Sequence, residues 1–335
     1  MGPNFSAARP RDLTGTIAQT IASRLGRSTI GVAISLAILA AAGYTLYDLL
    51  RGIELDKVFA ALAGQSVQKL LAAAAFVTAG YIALTFYDLF ALHTIGRNKV
   101  PYSVAALASF TSSTIGHNLG AAVLTGGLIR LRIYSVWGLT VADITKIAVL
   151  TGITFWLGNV LLLGGATTFI PEAATTIDHL PSWLNRTIGF AGLSGIGCYL
   201  LWLAPAPRAV GRSGWRMVLP NFRSTLLQIG IGALDLTLVT LAMFVLLPAT
   251  PVVGLPGVMV VFLSATLLGT VSHAPAGLGV IEATMLLGLP QYPREPLLAA
   301  LLTFRALYFL LPLLLATFSL GIRELRMLAR AAKSR

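Results

Sequence analysis

Charge is scarce in this chain. Of 335 residues, only 11% are Asp, Glu, Lys or Arg. A soluble domain carries about a quarter. No stretch is polar enough to clothe a separate globular domain. Acid is scarcer than base: 12 Asp and Glu face 24 Lys and Arg, for a net charge of +12. The basic residues gather at the ends of apolar runs. That pattern points to the positive-inside rule, with anionic lipid head groups as possible contacts, rather than to nucleic acid.

Cysteine is nearly absent. Cys198 stands alone, so there is no disulfide framework and no thiolate metal cluster. His93, His117, His179 and His273 are scattered. No P-loop, H-x-x-x-H or G-x-S-x-G appears. Catalytic chemistry has little support, and no metal or other cofactor is expected. Without an ATP motif, energy for any transport must come from an ion gradient, a partner or a lipid gradient.

What the chain has is apolar length. Hydrophobic residues make up 56% of it, and the mean hydropathy is +0.82. Runs near the ~20 residues that span a bilayer recur. The expected fold class is all-α, a polytopic membrane helical bundle. Residues 1–27 form a basic segment in which Leu13, Ile17, Ile21 and Leu25 recur every four positions, as in a surface-lying amphipathic helix. The membrane domain covers 28–322, and a basic tail fills 323–335. Full spans are expected at 28–50, 67–95, 144–168, 188–203, 224–247 and 297–322. Residues 53–63 read as an interfacial helix. The loops 169–187 and 204–223 are read without regular structure.

Two further apolar stretches break their own helices. Residues 110–130 read FTSSTIGHNLGAAVLTGGLIR, and residues 262–282 read FLSATLLGTVSHAPAGLGVIE. Lipid cannot hydrogen-bond a broken backbone, so each break must lie against protein or a water-filled cavity. Charge balance fits if both stretches enter and leave on one side, as re-entrant helical hairpins. The N-terminus, the 97–99 and 204–223 loops and the tail are then cytoplasmic. Eight full spans are the alternative.

Laid side by side without a gap, the two stretches agree at six of 21 positions. Phe110, Ser112, Thr114, Ala122, Gly127 and Ile129 fall on Phe262, Ser264, Thr266, Ala274, Gly279 and Ile281. Arg130 falls on Glu282. This suggests an inverted repeat, which in transporters builds a midplane site from discontinuous helices. Half-helix ends suit an anionic phosphate. Arg130, Asp235, Glu282 and Arg305 are four charges in or beside apolar segments. They either form buried ion pairs that fix packing or line a polar path, and both can hold. Glu282 is expected close to an arginine. His117 and His273 lie in the broken stretches, where they bond nearby carbonyls or carry protons. Asn118 reads as a partner for freed backbone groups.

At these residues the chain resembles a known family. GGLIRLRIYSVWG at 126–138, Asp235, SHAPAGLGVIE at 272–282 and FRALYFLLPLLLA at 304–316 are similar to the membrane region of lysylphosphatidylglycerol synthase/flippase proteins (multiple peptide resistance factor) and their stand-alone relatives. That family usually carries Pro-Gly-Gly-Leu-Gly, and here Ala276 replaces the first glycine. The resemblance implies a multi-pass protein of the bacterial inner membrane that moves phospholipid, or aminoacylated phospholipid, between leaflets. It also implies no aminoacyltransferase activity, since only a short tail follows the last span. The candidate site comprises Arg130, Tyr134, Asp235, His273, Gly277, Gly279, Glu282 and Arg305. Expected partners are anionic phospholipids, with no nucleic acid, and a further copy of the chain or an enzyme. An accessory subunit of a lipid- or glycan-synthesising enzyme, and a secondary transporter of a lipid-linked sugar or small solute, are the competing functions.

Overall fold

The computed structural model describes residues 54–119, 122–205, 208–212, 215–250 and 253–333, together with Tyr44. The expected N-terminal segment 1–27, and the span 28–50 apart from Tyr44, lie outside the described residues.

The chain is an all-α helical bundle, as expected from its composition. Among the described residues, four helices are long and apolar enough to cross a membrane. After α1 (Leu55–Ala63), α2 runs over Val67–Thr94. A broken pair comes next, α3 (Tyr102–Leu119) and α4 (Ala122–Tyr134), then α5 (Val141–Phe169). A short α6 (Glu172–Asp178) leads to α7 (Ser182–Leu203) and α8 (Phe222–Leu246). The second broken pair is α9 (Leu255–Val271) and α10 (Val280–Gly288). The last helical rod is α11 (Arg294–Arg305), a π-helical turn (Ala306–Leu310) and α12 (Leu311–Lys333). The four long spans are α2, α5, α8 and the rod from Arg294 to Arg323. Helix α7 has 22 residues, six more than the expected span, but four glycines and several polar residues dilute its apolar run.

Polar signals fix the helix starts. Ser66 caps α2 and Asn221 caps α8, each accepting the backbone N–H three residues on. Thr140 and Asp143 form a reciprocal capping box at α5, and Arg97 donates to the same Asp143 carboxylate at 2.7 Å. At the far end of α8, Lys69 Nζ donates to the carbonyl of Leu247 at 2.7 Å. A cation there also complements the helix dipole.

Helices α2 and α8 form the central pair. They run antiparallel: Lys69 meets Leu247, Gly80 faces Leu238, and Tyr87 meets Asp235. Helix α5 runs parallel to α8. Gln228 donates to the carbonyl of Leu150 (3.1 Å) and to the Thr154 hydroxyl (2.9 Å), and Gly158 lies directly against Gly232. Small residues let the two backbones touch, which is how helices associate where lipid offers no hydrophobic drive. Gly164 and Gly189 serve the same purpose between α5 and α7.

Three stretches differ from expectation. The 169–187 loop contains α6, and 204–223 contains an antiparallel hairpin, β1 (Ala209–Arg212) with β2 (Trp215–Val218). Met217 and Leu219 anchor that ribbon in a core formed with α2, α3, α4 and α5. The tail expected from 323 is helical through Lys333.

A Cβ at position 158 would sit 2.5 Å from the Gly232 carbonyl carbon, whereas one at 165 meets nothing within 4 Å. Gly158→Ala is therefore expected to destabilise the bundle by about 1–3 kcal/mol. Gly165→Ala, on the same helix, should stay within about 0.5 kcal/mol of the parent. Thermal melts of the purified protein in detergent check the pair, and equal melting temperatures would refute the close crossing.

Candidate functional site

Both broken stretches fold back on themselves as helical hairpins, α3 with α4 and α9 with α10. Residues flanking both breaks come level with the middle of the 28-residue α2. Tyr81, at that midpoint, packs its ring on Phe110 and on Tyr308, and Asn118 reaches the neighbouring Phe309 carbonyl at 3.4 Å. Helix α3 also touches the 3-10 turn Pro275–Gly277 in the second hairpin.

The rod α11–α12 is distorted at the same level, and sequence explains why. Pro312 has no N–H, so the carbonyl four residues earlier, on Tyr308, loses its helical donor. The chain widens into a π turn over Ala306–Leu310. The Tyr81 hydroxyl donates to that Tyr308 carbonyl at 2.9 Å. Asn118 thus serves freed backbone, as its position suggests.

The second break is conformationally costly. Helix α9 ends before Pro275, with Ser272 Oγ donating to the Gly269 carbonyl and accepting the Ala274 N–H. His273, Ala276, Gly277 and Gly279 then take φ values of 56°, 51°, 61° and 78°. Glycine adopts this region freely, whereas a Cβ costs roughly 1–2 kcal/mol. Ala276 therefore stands in a conformation that suits the glycine usual in the resembled motif. The helix resumes at Val280, and the Glu282 carboxylate accepts the Gly279 N–H at 2.8 Å. Arg305 binds both sides of the break. Its Nε donates to Glu282 Oε1, and its Nη1 donates to the Ala276 carbonyl at 3.1 Å. Its guanidinium also lies 5.5 Å from the Phe309 ring centre. Nη2 is buried and has no hydrogen-bond partner among the described residues.

The first hairpin is held differently. Arg130 Nε and Nη2 donate to Asp88 of α2 at 2.7–3.1 Å, and the Tyr134 hydroxyl adds a bond of 2.8 Å to the same carboxylate. Asp88 is 0% exposed and Arg130 8%. Gly126 and Gly127 lie inside α4, not at a break. Gly126 keeps α4 close to α3, since a Cβ there would sit 3.1 Å from the Ser112 carbonyl. The junction itself, Gly120 and Ala121, lies outside the described residues.

Between the hairpins lies a cavity of about 340 Å³. The first hairpin contributes Gly116, His117 and Leu124, and the second contributes Thr266, Thr270, His273 and Gly277. Asp235 of α8 faces it, with Oδ2 accepting from Tyr87 at 3.0 Å. Phe155, Phe262, Phe304, Tyr308 and Phe309 add an aromatic part to a remaining wall that is otherwise aliphatic.

The chain is 34% identical over 273 residues to slr0712, an uncharacterized protein of Synechocystis sp., covering 81% of this chain and 84% of that one. It is 31% identical over 270 residues to the inner membrane protein YbhN of Escherichia coli, covering 79% and 83%. The chain belongs to the YbhN family. No protein-family model matches it. YbhN is an inner membrane protein, and the apolar spans place this member of its family in a membrane as well.

Among the predicted site residues of this YbhN-family chain, Asp235, His273 and Gly277 line the cavity. Glu282, Gly279 and Arg305 build the break beside it. Arg130 and Tyr134 are drawn together elsewhere, on Asp88. The expected pairing of Glu282 with an arginine is present. Asp235 does not pair with an arginine: a tyrosine holds it, and Asp88 has taken Arg130. Asp88 lies within the expected 67–95 span and was not among the predicted site residues. Its spacing one residue from Tyr87, in an otherwise apolar run, was the available signal.

Removing one member of a buried pair strands the other charge. Asp88→Asn is expected to destabilise the protein by about 3–5 kcal/mol. Ala276→Gly should instead raise stability by about 1 kcal/mol, because relief of the left-handed strain exceeds the added chain entropy. Denaturation midpoints of both variants check these signs.

Proposed function

We propose that this protein is a lipid translocase of the inner membrane, moving a phospholipid or aminoacylated phospholipid between leaflets. The observation that carries this reading is the meeting of two broken hairpins on one cavity, level with the middle of the central span. Broken backbone at that depth is tolerated only around a cavity or within protein. Such a layout suits hairpins that re-enter the membrane from opposite sides, with both termini cytoplasmic. The antiparallel course of α2 and α8 supports two inverted halves. A head group enters between the hairpins while acyl chains stay in lipid.

Arg305 is the better phosphate ligand of the two predicted arginines. Its Nη2 retains an unfilled donor beside the break, whereas Arg130 is held by Asp88 deep in the first hairpin. Arg130, Tyr134 and Asp88 then form the hinge that fixes the first hairpin to α2. Glu282 releases or retains Arg305 as the cavity changes sides. The motifs shared with lysylphosphatidylglycerol synthase/flippase proteins fit this role without aminoacyl transfer. Anionic phospholipids are the partners this chemistry favours.

Leaflet-resolved lipid transport in proteoliposomes tests the proposal. Glu282→Gln and Arg305→Gln are each expected to lower the rate by tenfold or more, about the 1.4 kcal/mol of one lost charge-assisted contact. Arg130→Gln should lower it through a looser hairpin, visible as a lower melting temperature. Unchanged transport in Glu282→Gln and Arg130→Gln would overturn the mechanism.

A further inference from the structure

Each hairpin sends one histidine to the same cavity: His117 from α3 and His273 from the second break. Both rings keep accessible surface, although they lie at the hairpin tips inside the bundle. His273 Nδ1 lies 2.9 Å from the Val271 carbonyl. A carbonyl only accepts, so Nδ1 carries the proton and Nε2 is the nitrogen that gains one. The backbone holds this ring in place at φ 56°.

Besides these two rings, Asp235 is the ionisable group around the cavity that has no opposite charge beside it among the described residues. Asp235 faces it from α8, and Tyr308 faces it from the α11–α12 junction. Tyr87 of α2 is bound to Asp235, and Tyr81 of α2 is bound to the Tyr308 carbonyl. Arg130 of the first hairpin is neutralised by Asp88. Arg305 and Glu282 neutralise one another beside Ala276. With both imidazoles neutral, an ionised Asp235 leaves the cavity negative, and it repels a phosphate. With both protonated, the cavity is positive. Its charge changes by two whatever the state of Asp235.

We infer that His117 and His273 together make binding of a phosphate-bearing lipid in this cavity proton-linked, so that each occupancy event takes up protons on the two hairpin tips. The inference rests on the lipid site proposed above and adds a coupling ion to it. Affinity is highest with the rings protonated and falls as pH rises through the histidine range.

Titration of the purified full chain with short-chain phosphatidylglycerol, at about pH 6 and about pH 8, tests this. The unmodified protein should bind at least about tenfold more tightly at the lower pH, as expected for charges acting across a few ångströms of partly dry cavity. The double variant His117→Asn, His273→Asn should bind about equally at both, and asparagine tolerates the left-handed backbone at position 273. Each single variant should retain part of the change, which keeps the test open if the double variant does not fold. A double variant that keeps the tenfold change overturns the inference and leaves the lipid site standing. Failure of the unmodified protein to bind at either pH overturns the lipid site, and the inference with it. Glycerol phosphate is run in parallel. If it binds as tightly as the lipid, the ligand is a free phosphate ester, and the lipid assignment fails.

Discussion

An apolar medium gives a broken backbone nothing to bond to, and the architecture here depends on that constraint. Among the described residues, several freed groups find partners within the protein. Tyr81 supplies the Tyr308 carbonyl that Pro312 orphans. Asn118 reaches the next carbonyl along. Ser272, Glu282 and Arg305 serve the second break. These partners come from α2, α3, α9, α10 and α11, so satisfying the breaks draws all those elements to one level of the bundle. The cavity is the space left where they cannot fill it. Structure and site therefore share a cause: helices broken at mid-depth need polar neighbours, and the breaks those neighbours serve border the cavity.

The two hairpins differ in how firmly they are tied down. Arg130 and Tyr134 place four hydrogen bonds on Asp88, in a fully buried cluster. Breaking it exposes an uncompensated charge to an apolar interior, so the first hairpin moves only with α2. The second hairpin depends on a run of left-handed residues and on one guanidinium. That guanidinium has a donor to spare. The second hairpin is thus the more lightly tied of the two.

Much of this was legible in the sequence. Apolar length and end-clustered base specify a membrane bundle, because no other fold class tolerates so little charge. Pro275, Gly277 and Gly279 mark the second break, since they remove a donor or a Cβ where a helix needs both. Glu282 calls for a cation at that depth. Its partner Arg305 lies 23 residues away, and only the folded chain selects it over Arg130. The glycines at 126 and 127 misled for a physical reason. Glycine permits a break but does not impose one, and without a proline the helix continues through them. Asp88 is inconspicuous because one acid late in a span also reads as a helix end. The β-ribbon at 209–218 was hidden because its arginines carry no apolar alternation.

The repeat is best understood in the same terms. The aligned stretches agree in small and hydroxyl-bearing residues, which close packing inside a hairpin requires of both. They disagree at their charged ends. Glu282 is in the first turn of α10, while Arg130 is well inside α4. The pair of charges therefore does not mark equivalent contacts, and it does not form one bridge across the cavity. Each instead locks its own hairpin to a neighbouring span, α2 in the first half and α11 in the second. The two halves are therefore tied down differently around a common cavity, the first by a buried cluster on Asp88 and the second by one guanidinium at its break.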